Sequence, residues 1–268
     1  MSYSVLFRQF PRDHLDELAP VVAQAYGMND YDTRAKIRKG WGFLDRDTTE
    51  ENARQIVAAI GDCTGGVVAI DNAELRVPAE PKVTTAFEPG ETSVTLHLQS
   101  PQDPTRSMAW MEVGVVAAGA FSEEIIRRES GGNEQTTGKM MMGLGIFLVT
   151  GVPVGLFGGG KKKKDAKPVK SSRVITFGRI VTTAGEQFAF SPDHFNFSGL
   201  GERKQMNTAA NFRTLLDEFA RRTGARLNLG AHLLLENRAI TFANYTSLRD
   251  FETELLWMLN IGPAPSGF

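Results

Sequence analysis

The sequence contains a single cysteine, Cys63, among its 268 residues. One thiol cannot form an internal disulfide bond, and it excludes cysteine-rich zinc modules and redox chemistry that needs a pair of thiols. Cys63 has no basic neighbour that would favour the reactive thiolate, so a cysteine nucleophile is not expected. The first ten residues also lack a basic region followed by a long apolar run, so no secretion signal is expected. A reducing, cytoplasmic environment follows as the expectation.

Excess charge is absent as well, because 30 basic side chains face 31 acidic ones and the formal net charge is −1. A global attraction to nucleic acid is therefore excluded. A single-strand binder interleaves aromatic and basic groups, but the lysine run at 161–164 contains no aromatic residue. We expect no nucleic-acid partner.

Histidines are few, and the four of them are His14, His97, His194 and His232. No two have a spacing that would place them on one helix face, so neither a metal site nor a cofactor is expected. The chain also has no Gly-x-Ser-x-Gly elbow and no carboxylate cluster in sequence. These absences predict a non-enzymatic protein, although a catalytic site assembled only in the fold stays open.

What the chain does have is enough length and 41% hydrophobic residues, which favour two domains with a core in each. We predict an α+β fold with a small N-terminal domain over residues 1–76 and a linker with three prolines over 77–92. A β-rich domain follows over 93–206, with an insertion at 129–172. A helical region over 207–268 is expected to pack on that β domain.

Within the N-terminal domain the pattern predicts a strand at 3–7, a helix at 15–26 closed by Gly27, and a helix at 30–39. Thr48 followed by Glu51 has the spacing of a capping box, which predicts a third helix that ends at Gly61. A strand at 66–70 completes the order strand, helix, helix, helix, strand.

The run from Tyr3 to Ile70 resembles the C-terminal domain of the bacterial ribosomal stalk protein, whose relatives include a peptide-binding adaptor of Clp proteases. The residues that carry the resemblance are the Gly27-Met28 break, the helix at 32–37, the Thr-Thr-Glu-Glu start at 48–51 and the final Gly-Val-Val strand. The resemblance covers about a quarter of the chain and implies a protein-contact module. The stalk family docks translation factors on a basic surface, but the aligned positions are Leu15, Pro20, Ala23 and Tyr31, so that basic surface is missing here.

The β-rich domain is indicated by alternation at 94–98, an apolar run at 110–117 and further alternation at 175–181. Four phenylalanines alternate in two pairs, which predicts a packed core: Phe188, Phe190, Phe195 and Phe197. An amphipathic helix is predicted behind a cap at Asn207 or Thr208, and Ser247 is predicted to cap a last helix through Asn260. A strand set followed by such a helix resembles pleckstrin-homology-like modules in topology, without a shared motif.

The insertion contains the most informative stretch, because Thr150 is the only polar side chain over residues 140–157. Lysines precede it at 139 and follow it at 161–164. The residues predicted to contact a membrane or a partner are Met140, Met141, Met142, Leu144, Ile146, Phe147, Leu148, Val154, Leu156, Phe157, Lys161, Lys162, Lys163 and Lys164. Six lysines, at 161–164, 167 and 170, would attract anionic lipid, while the apolar side chains enter the headgroup boundary.

Three structures for this stretch remain open: a hairpin that docks on or dips into a membrane, a buried apolar hairpin with a solvated lysine loop, and a full membrane span. Glycines and Pro153 weaken the spanning helix. The spacing from Gly155 to Lys161 imitates a phosphate loop, but Lys162 stands where the motif needs Ser or Thr, so nucleotide binding is not expected.

The sequence therefore predicts a cytoplasmic, non-enzymatic adaptor that sits at the inner face of a membrane through residues 140–164 and contacts a protein through its N-terminal domain. The open alternative is an assembly component whose apolar insertion packs in a subunit interface. A second copy of the chain is one candidate for that partner.

Overall fold

A computed structural model of the protein describes residues 1–61, 65–127, 169–243 and 245–261. It confirms an α+β fold with a β-rich region and C-terminal helices. The strands are β1 (Tyr3–Phe7), β2 (Phe43–Thr48), β3 (Val67–Asp71), β4 (Lys82–Pro89), β5 (Ser93–Leu98), β6 (Thr105–Ala109), β7 (Val113–Arg127), β8 (Val169–Thr182), β9 (Gln187–Phe190) and β10 (Arg226–Leu227). The helices are α1 (Leu15–Tyr26), α2 (Asp30–Gly40), α3 (Glu50–Ile60), α4 (Thr208–Thr223), α5 (Leu229–Leu235) and α6 (Leu248–Asn260).

The N-terminal module, residues 1–71, is a three-stranded antiparallel sheet in the order β2-β1-β3 with α1, α2 and α3 against it. Its own core forms because apolar residues recur at helical spacing on α1 and α3, and it includes Leu18, Val22, Ile37, Ala53 and Ile60. The predicted order of elements lacked β2. That strand begins with two buried residues and then turns polar, so it shows no alternation over its length.

The ends of the helices follow local chemistry. Gly27 ends α1 in a left-handed conformation, as predicted, and its backbone N–H bonds back to the helix. The cap of α3 was predicted one residue too early. The hydroxyl of Thr49, not that of Thr48, accepts the hydrogen bond from the Asn52 amide, because Thr48 still belongs to β2.

The β-rich region is a seven-stranded sheet in the order β10-β7-β8-β9-β4-β5-β6. The predicted linker over 77–92 is wrong over residues 82–89, since β4 lies there and pairs with β5 on one side and β9 on the other. The linker was predicted because the stretch contains three prolines. However, Pro78 and Pro81 precede the strand, and Pro89 is its last residue. Each proline therefore avoids the interior of the ladder.

One face of this sheet is covered by α4 and α5 over a core made almost wholly of apolar residues. The four phenylalanines predicted as core are all buried there. Of the two predicted caps, Asn207 is the one that caps α4, and its side-chain oxygen accepts hydrogen bonds from the amides of Ala209 and Ala210. This face is closed by ordinary side-chain packing.

The opposite face is covered by α6 and by the N-terminal module, which share one apolar cluster with β7 and β8. Ser247 caps α6 as predicted, and Leu255, Trp257 and Met258 are buried. The apolar side chains at the end of this helix therefore pack within the chain. The indole Nε1 of Trp257 donates to the Phe7 carbonyl at 2.7 Å, which ties α6 to β1.

Trp257 also lies directly on the backbone of Gly42, which has φ of 94°. A Cβ atom at Gly42 would lie 2.2 Å from Cγ of the Trp257 ring, so only glycine permits this approach.

The region over 207–268 was predicted as helical only. The structure instead places β10 within it, parallel to β7 at the edge of the sheet. Two residues carry no periodic signal, so such a strand is defined by its pairing alone.

Candidate functional site

The fourteen residues predicted to contact a membrane or partner, Met140 to Lys164, lie outside the described residues. So do the imitation of a phosphate loop and Cys63. The structure does describe the two strands that flank the insertion in sequence, β7 and β8, and the buried polar groups beside them. These elements form the candidate site.

The two strands form an antiparallel ribbon whose pairing continues to Arg127 opposite Val169. Within the sheet, β10 pairs with β7 only at Val115 and Val116, and β9 pairs with β8 from Gly178 to Val181. Beyond Gly119, no described strand flanks the ribbon. The eight steps from Gly119 to Arg127 correspond to about 27 Å of strand at roughly 3.4 Å per residue. The ribbon therefore extends well past its neighbours in the sheet.

The base of the ribbon is anchored by aromatic rings. Phe177 lies opposite Gly119 in the register, and its ring contacts Phe121 at 5.7 Å and the edge of Phe251 on α6 at 4.7 Å between centroids. A Cβ at Gly119 would lie 2.6 Å from the Phe177 ring, so glycine makes room for it. Packing of a ring over a glycine on the neighbouring strand fixes register, which holds the ribbon in one orientation on α6.

Exposure of β8 increases from the base towards the end of the ribbon. Phe177 is buried, Ile175 is partly buried and Val174 is 51% exposed. Arg173 forms an exposed ion pair with Asp193, with 3.2 Å between Nη2 and Oδ2. Pairs of this kind contribute little to stability, so the base, and not the ion pair, holds the ribbon.

A charged side chain lies buried in β8 next to this base. Arg179 is on the same face as Phe177 and Val181, and its Nη1 and Nη2 have no hydrogen-bond partner among the described residues. Burial lowers the pKa of Arg179 to about 10, opposed by the charge of Glu252 on α6. Burial in turn raises the pKa of Glu252, opposed by Arg179. Arg179 on β8 and Glu252 on α6 form no direct ion pair, but the charge of each favours the charged form of the other.

A second buried charge, Glu254 on α6, is fully hydrogen-bonded. Its Oε1 accepts from the Leu229 amide at 3.0 Å, and its Oε2 accepts from Asn228 Nδ2 at 3.2 Å and from the Tyr245 hydroxyl. Burial raises the pKa of Glu254, and the hydrogen bonds oppose that rise. Burial and the neighbouring carboxylate raise the pKa of Tyr245 far above its ordinary value.

Asn228 links this cluster to the sheet. Its side chain accepts from the Ala118 amide and donates to the Ala118 carbonyl, both at 2.9 Å. It thereby extends the contact with β7 two residues beyond Val116, where the β10 pairing ends. Its Oδ1 also caps α5 through the Ala231 amide. One side chain thus holds the sheet edge, a helix start and the buried carboxylate together.

The N-terminal module reaches the same cluster through stacked groups. The guanidinium of Arg12 lies 3.8 Å from the centroid of Trp41, and Trp41 stacks on Tyr245 at 4.5 Å. Arg12 also donates to the Ala243 carbonyl at 3.0 Å. The module is thereby attached to the β-rich region by both apolar and directional contacts.

Sequence reasoning missed these polar groups, although a signal for both exists. Arg179 interrupts an otherwise apolar run of β8, and Glu254 shares helical spacing with the buried Phe251, Leu255 and Met258. A charge on an apolar face suggests a buried polar contact, but its partners come from distant segments.

Among the described residues, no group of three or more His, Cys, Asp or Glu side chains is placed to hold a metal ion. The same part of the chain contains no helix with the length and apolar character required to cross a bilayer. No family model, no curated protein and no solved structure matches the chain.

Proposed function

We propose that the protein is a non-enzymatic adaptor that attaches to an anionic membrane surface through residues 140–164 and contacts a protein partner through its N-terminal module. The observation that carries the proposal is the β7–β8 ribbon. Its last pair, Arg127 and Val169, flanks in sequence the stretch that contains the apolar run and the lysines. A ribbon that leaves the sheet is a suitable support for a surface-binding insertion.

The attachment would be additive. The apolar side chains of residues 140–157 bury in the headgroup boundary, and each lysine at 161–164 contributes about 1 kcal/mol near an anionic surface. Neither signal alone anchors a protein stably, so both are needed together. The inner face of a cytoplasmic membrane carries the required negative charge.

The N-terminal module is the proposed protein-contact end, in keeping with its resemblance to the stalk domain and the Clp adaptor. Its attachment through Trp41 and Trp257 supports the idea, because a module fixed to the sheet would present its partner at a defined position relative to the membrane.

Flotation with liposomes tests the proposal. The intact chain is expected to float with vesicles containing anionic lipid at low salt, and less so at high salt or with neutral lipid. A variant with Lys161 to Lys164 changed to Gln should lose the dependence on anionic lipid and keep the apolar run. Deletion of residues 140–164 should abolish recovery. An intact chain that never floats contradicts the proposal.

The alternative is an assembly component whose apolar insertion packs against another subunit. The apolar composition of residues 140–157 suits burial in a subunit interface as well as it suits burial in a membrane surface. In that case, deletion of 140–164 would change the mass measured by light scattering and leave liposome recovery unchanged.

A further inference from the structure

A surface groove of about 830 Å³ lies between the C-terminal half of α4 and the 3-10 segment Phe197–Arg203, far in sequence from the ribbon insertion. Its apolar floor includes Leu200 and Pro89. Its rim consists of three arginines, Arg203, Arg221 and Arg222. A concave site with an apolar floor and a few convergent polar groups has the usual composition of a ligand site.

The rim is held in place by two carboxylates on α4. Glu218 accepts hydrogen bonds from all three arginines, and Asp217 Oδ2 accepts from Arg203 at 2.7 Å and from Arg221 at 3.0 Å. The Glu218 side chain is only 10% exposed, so it lies beneath the guanidinium groups. The two carboxylates therefore hold the arginines from below, so that the remaining guanidinium N–H groups face solvent.

The charges do not cancel. Three guanidinium groups and two carboxylates leave one net positive charge at the rim. Arg221 uses its Nε and one Nη2 proton for these bonds, so three of its five N–H donors bond to no acceptor among the described residues. Arg203 likewise uses one proton on each terminal nitrogen. The side chains of Arg203 and Arg221 are 41% and 58% exposed, so their remaining N–H donors are accessible to an acceptor from solution.

The third arginine closes one end of the groove. Arg222 Nη1 donates to the Gly90 carbonyl at 3.0 Å, and its guanidinium lies 5.2 Å from the centroid of Trp110. This contact joins α4 to the β4–β5 turn and limits the movement of the side chain. The groove is thus lined by three parts of the chain, β4, the 3-10 segment and α4, and its arginines are pre-organised before any ligand arrives.

We infer that this groove binds an oxyanion, either a carboxylate or a phosphate group, whose apolar remainder lies on Leu200 and Pro89. Arginine presents planar, paired donors that match both oxyanions, and it does so better than lysine. The inference is independent of membrane attachment, since no residue of the groove lies in or next to the insertion.

The test is an NMR titration of the full chain at low ionic strength with two probes, phenyl phosphate and benzoate. Saturable shifts of the amides around Leu200 and Arg221 are expected for at least one probe. A preference for phenyl phosphate assigns a phosphate ligand, and a preference for benzoate assigns a carboxylate ligand.

Arg221→Gln should weaken the preferred probe by about tenfold, the effect of one lost charge-assisted hydrogen bond. The matched control is Arg238→Gln, because both side chains are 58% exposed and each is paired with a carboxylate. The control should change affinity by less than about twofold.

Arg203→Gln supplies a second variant from a different element, in case Arg221→Gln lowers stability, and thermal melting checks both. Lack of saturable binding by either probe overturns the inference. Equal weakening by Arg221→Gln and Arg238→Gln also overturns it, because the binding would then reflect general surface charge.

Discussion

The two faces of the seven-stranded sheet are closed in different ways. The face under α4 and α5 is covered by apolar side chains, and its charged groups lie at the rim around Glu218. The face under α6 and the N-terminal module encloses two charged side chains, Arg179 and Glu254. The first face resembles an ordinary domain core, whereas the second is an interface between two parts of the chain.

The difference shows how a second module can be attached with a defined geometry. Apolar packing alone tolerates sliding, but a buried carboxylate with three donors is satisfied in only one arrangement. Glu254 holds Asn228, Tyr245 and the start of α5 in a fixed position relative to α6. Trp41 of the N-terminal module stacks on Tyr245, and Trp257 of α6 donates to the Phe7 carbonyl. The hydrogen-bonded cluster around Glu254 therefore fixes the surface of the β-rich region, and the aromatic contacts attach the N-terminal module to that surface.

The largest effect is expected when one buried tryptophan of each face is removed in turn. Trp257→Ala and Trp110→Ala should each cost about 4 kcal/mol in the free energy of unfolding, because both rings are buried. They are matched in exposure, at 5% each, and each donates to a backbone carbonyl. Only Trp257 joins the two modules.

Urea unfolding followed by circular dichroism and by fluorescence distinguishes the two variants. Trp257→Ala should separate unfolding of the N-terminal module from that of the sheet, so that the two probes no longer coincide. Trp110→Ala should leave the transitions together. If the two probes coincide in both variants, then Trp257 does not couple the unfolding of the N-terminal module to that of the sheet.

The next effect concerns the buried carboxylate. Glu254→Gln should cost about 2 kcal/mol at pH 5, because an amide nitrogen in place of Oε2 cannot accept the bonds from Asn228 Nδ2 and the Tyr245 hydroxyl. Burial raises the folded pKa of Glu254 above its ordinary 4.5, so the folded state binds this proton more tightly than the unfolded chain. The stability contributed by Glu254 is then present at low pH and is lost as pH rises through the folded pKa.

The cost of Glu254→Gln should therefore shrink between pH 5 and pH 8, measured by urea unfolding at each pH. Glu236→Gln is the control, since that side chain is 58% exposed in its ion pair. A cost that grows with pH would contradict the raised pKa.

A smaller effect of opposite sign is expected at Arg179. Arg179→Met should raise the free energy of unfolding by about 1 kcal/mol, because it replaces a buried cation, whose terminal nitrogens bond to no described residue, with a shorter, unbranched apolar side chain. Differential scanning calorimetry would show a higher melting temperature. A clear loss of stability would indicate that Arg179 has a partner essential to the fold.

The smallest effect is expected at the exposed part of the ribbon. Arg173→Gln breaks the ion pair with Asp193, and it should change the free energy of unfolding by less than about 0.5 kcal/mol. Urea unfolding checks this value. A larger loss would mean that the ion pair, and not the aromatic base at Phe177, holds the ribbon.

Most helices were predictable from the sequence, and the reason is their local chemistry. The apolar spacing of α1 and α4, the glycine after α1 and the cap at Ser247 all act within a few residues. The same local rules misplaced the start of α3 by one residue, because Thr48 and Thr49 both suit a cap and only the pairing of β2 decides between them.

The strands were less predictable. β4 was taken for a linker because prolines surround it, and β10 was missed because it has only two residues. Of the candidate site, the sequence indicated the apolar and lysine-rich insertion, which stays a prediction. It did not indicate the buried polar cluster, because Asn228, Tyr245 and Glu254 meet only after three separate segments pack.

The sequence by itself determined the α+β class, the position of most helices and the core role of the four phenylalanines, since periodicity and end caps are properties of neighbouring residues. Tertiary structure alone decided which strands pair, which face receives the N-terminal module and which charges become buried. Those outcomes depend on contacts between residues far apart in the chain, such as Trp257 with Phe7, and no local pattern encodes such a pair.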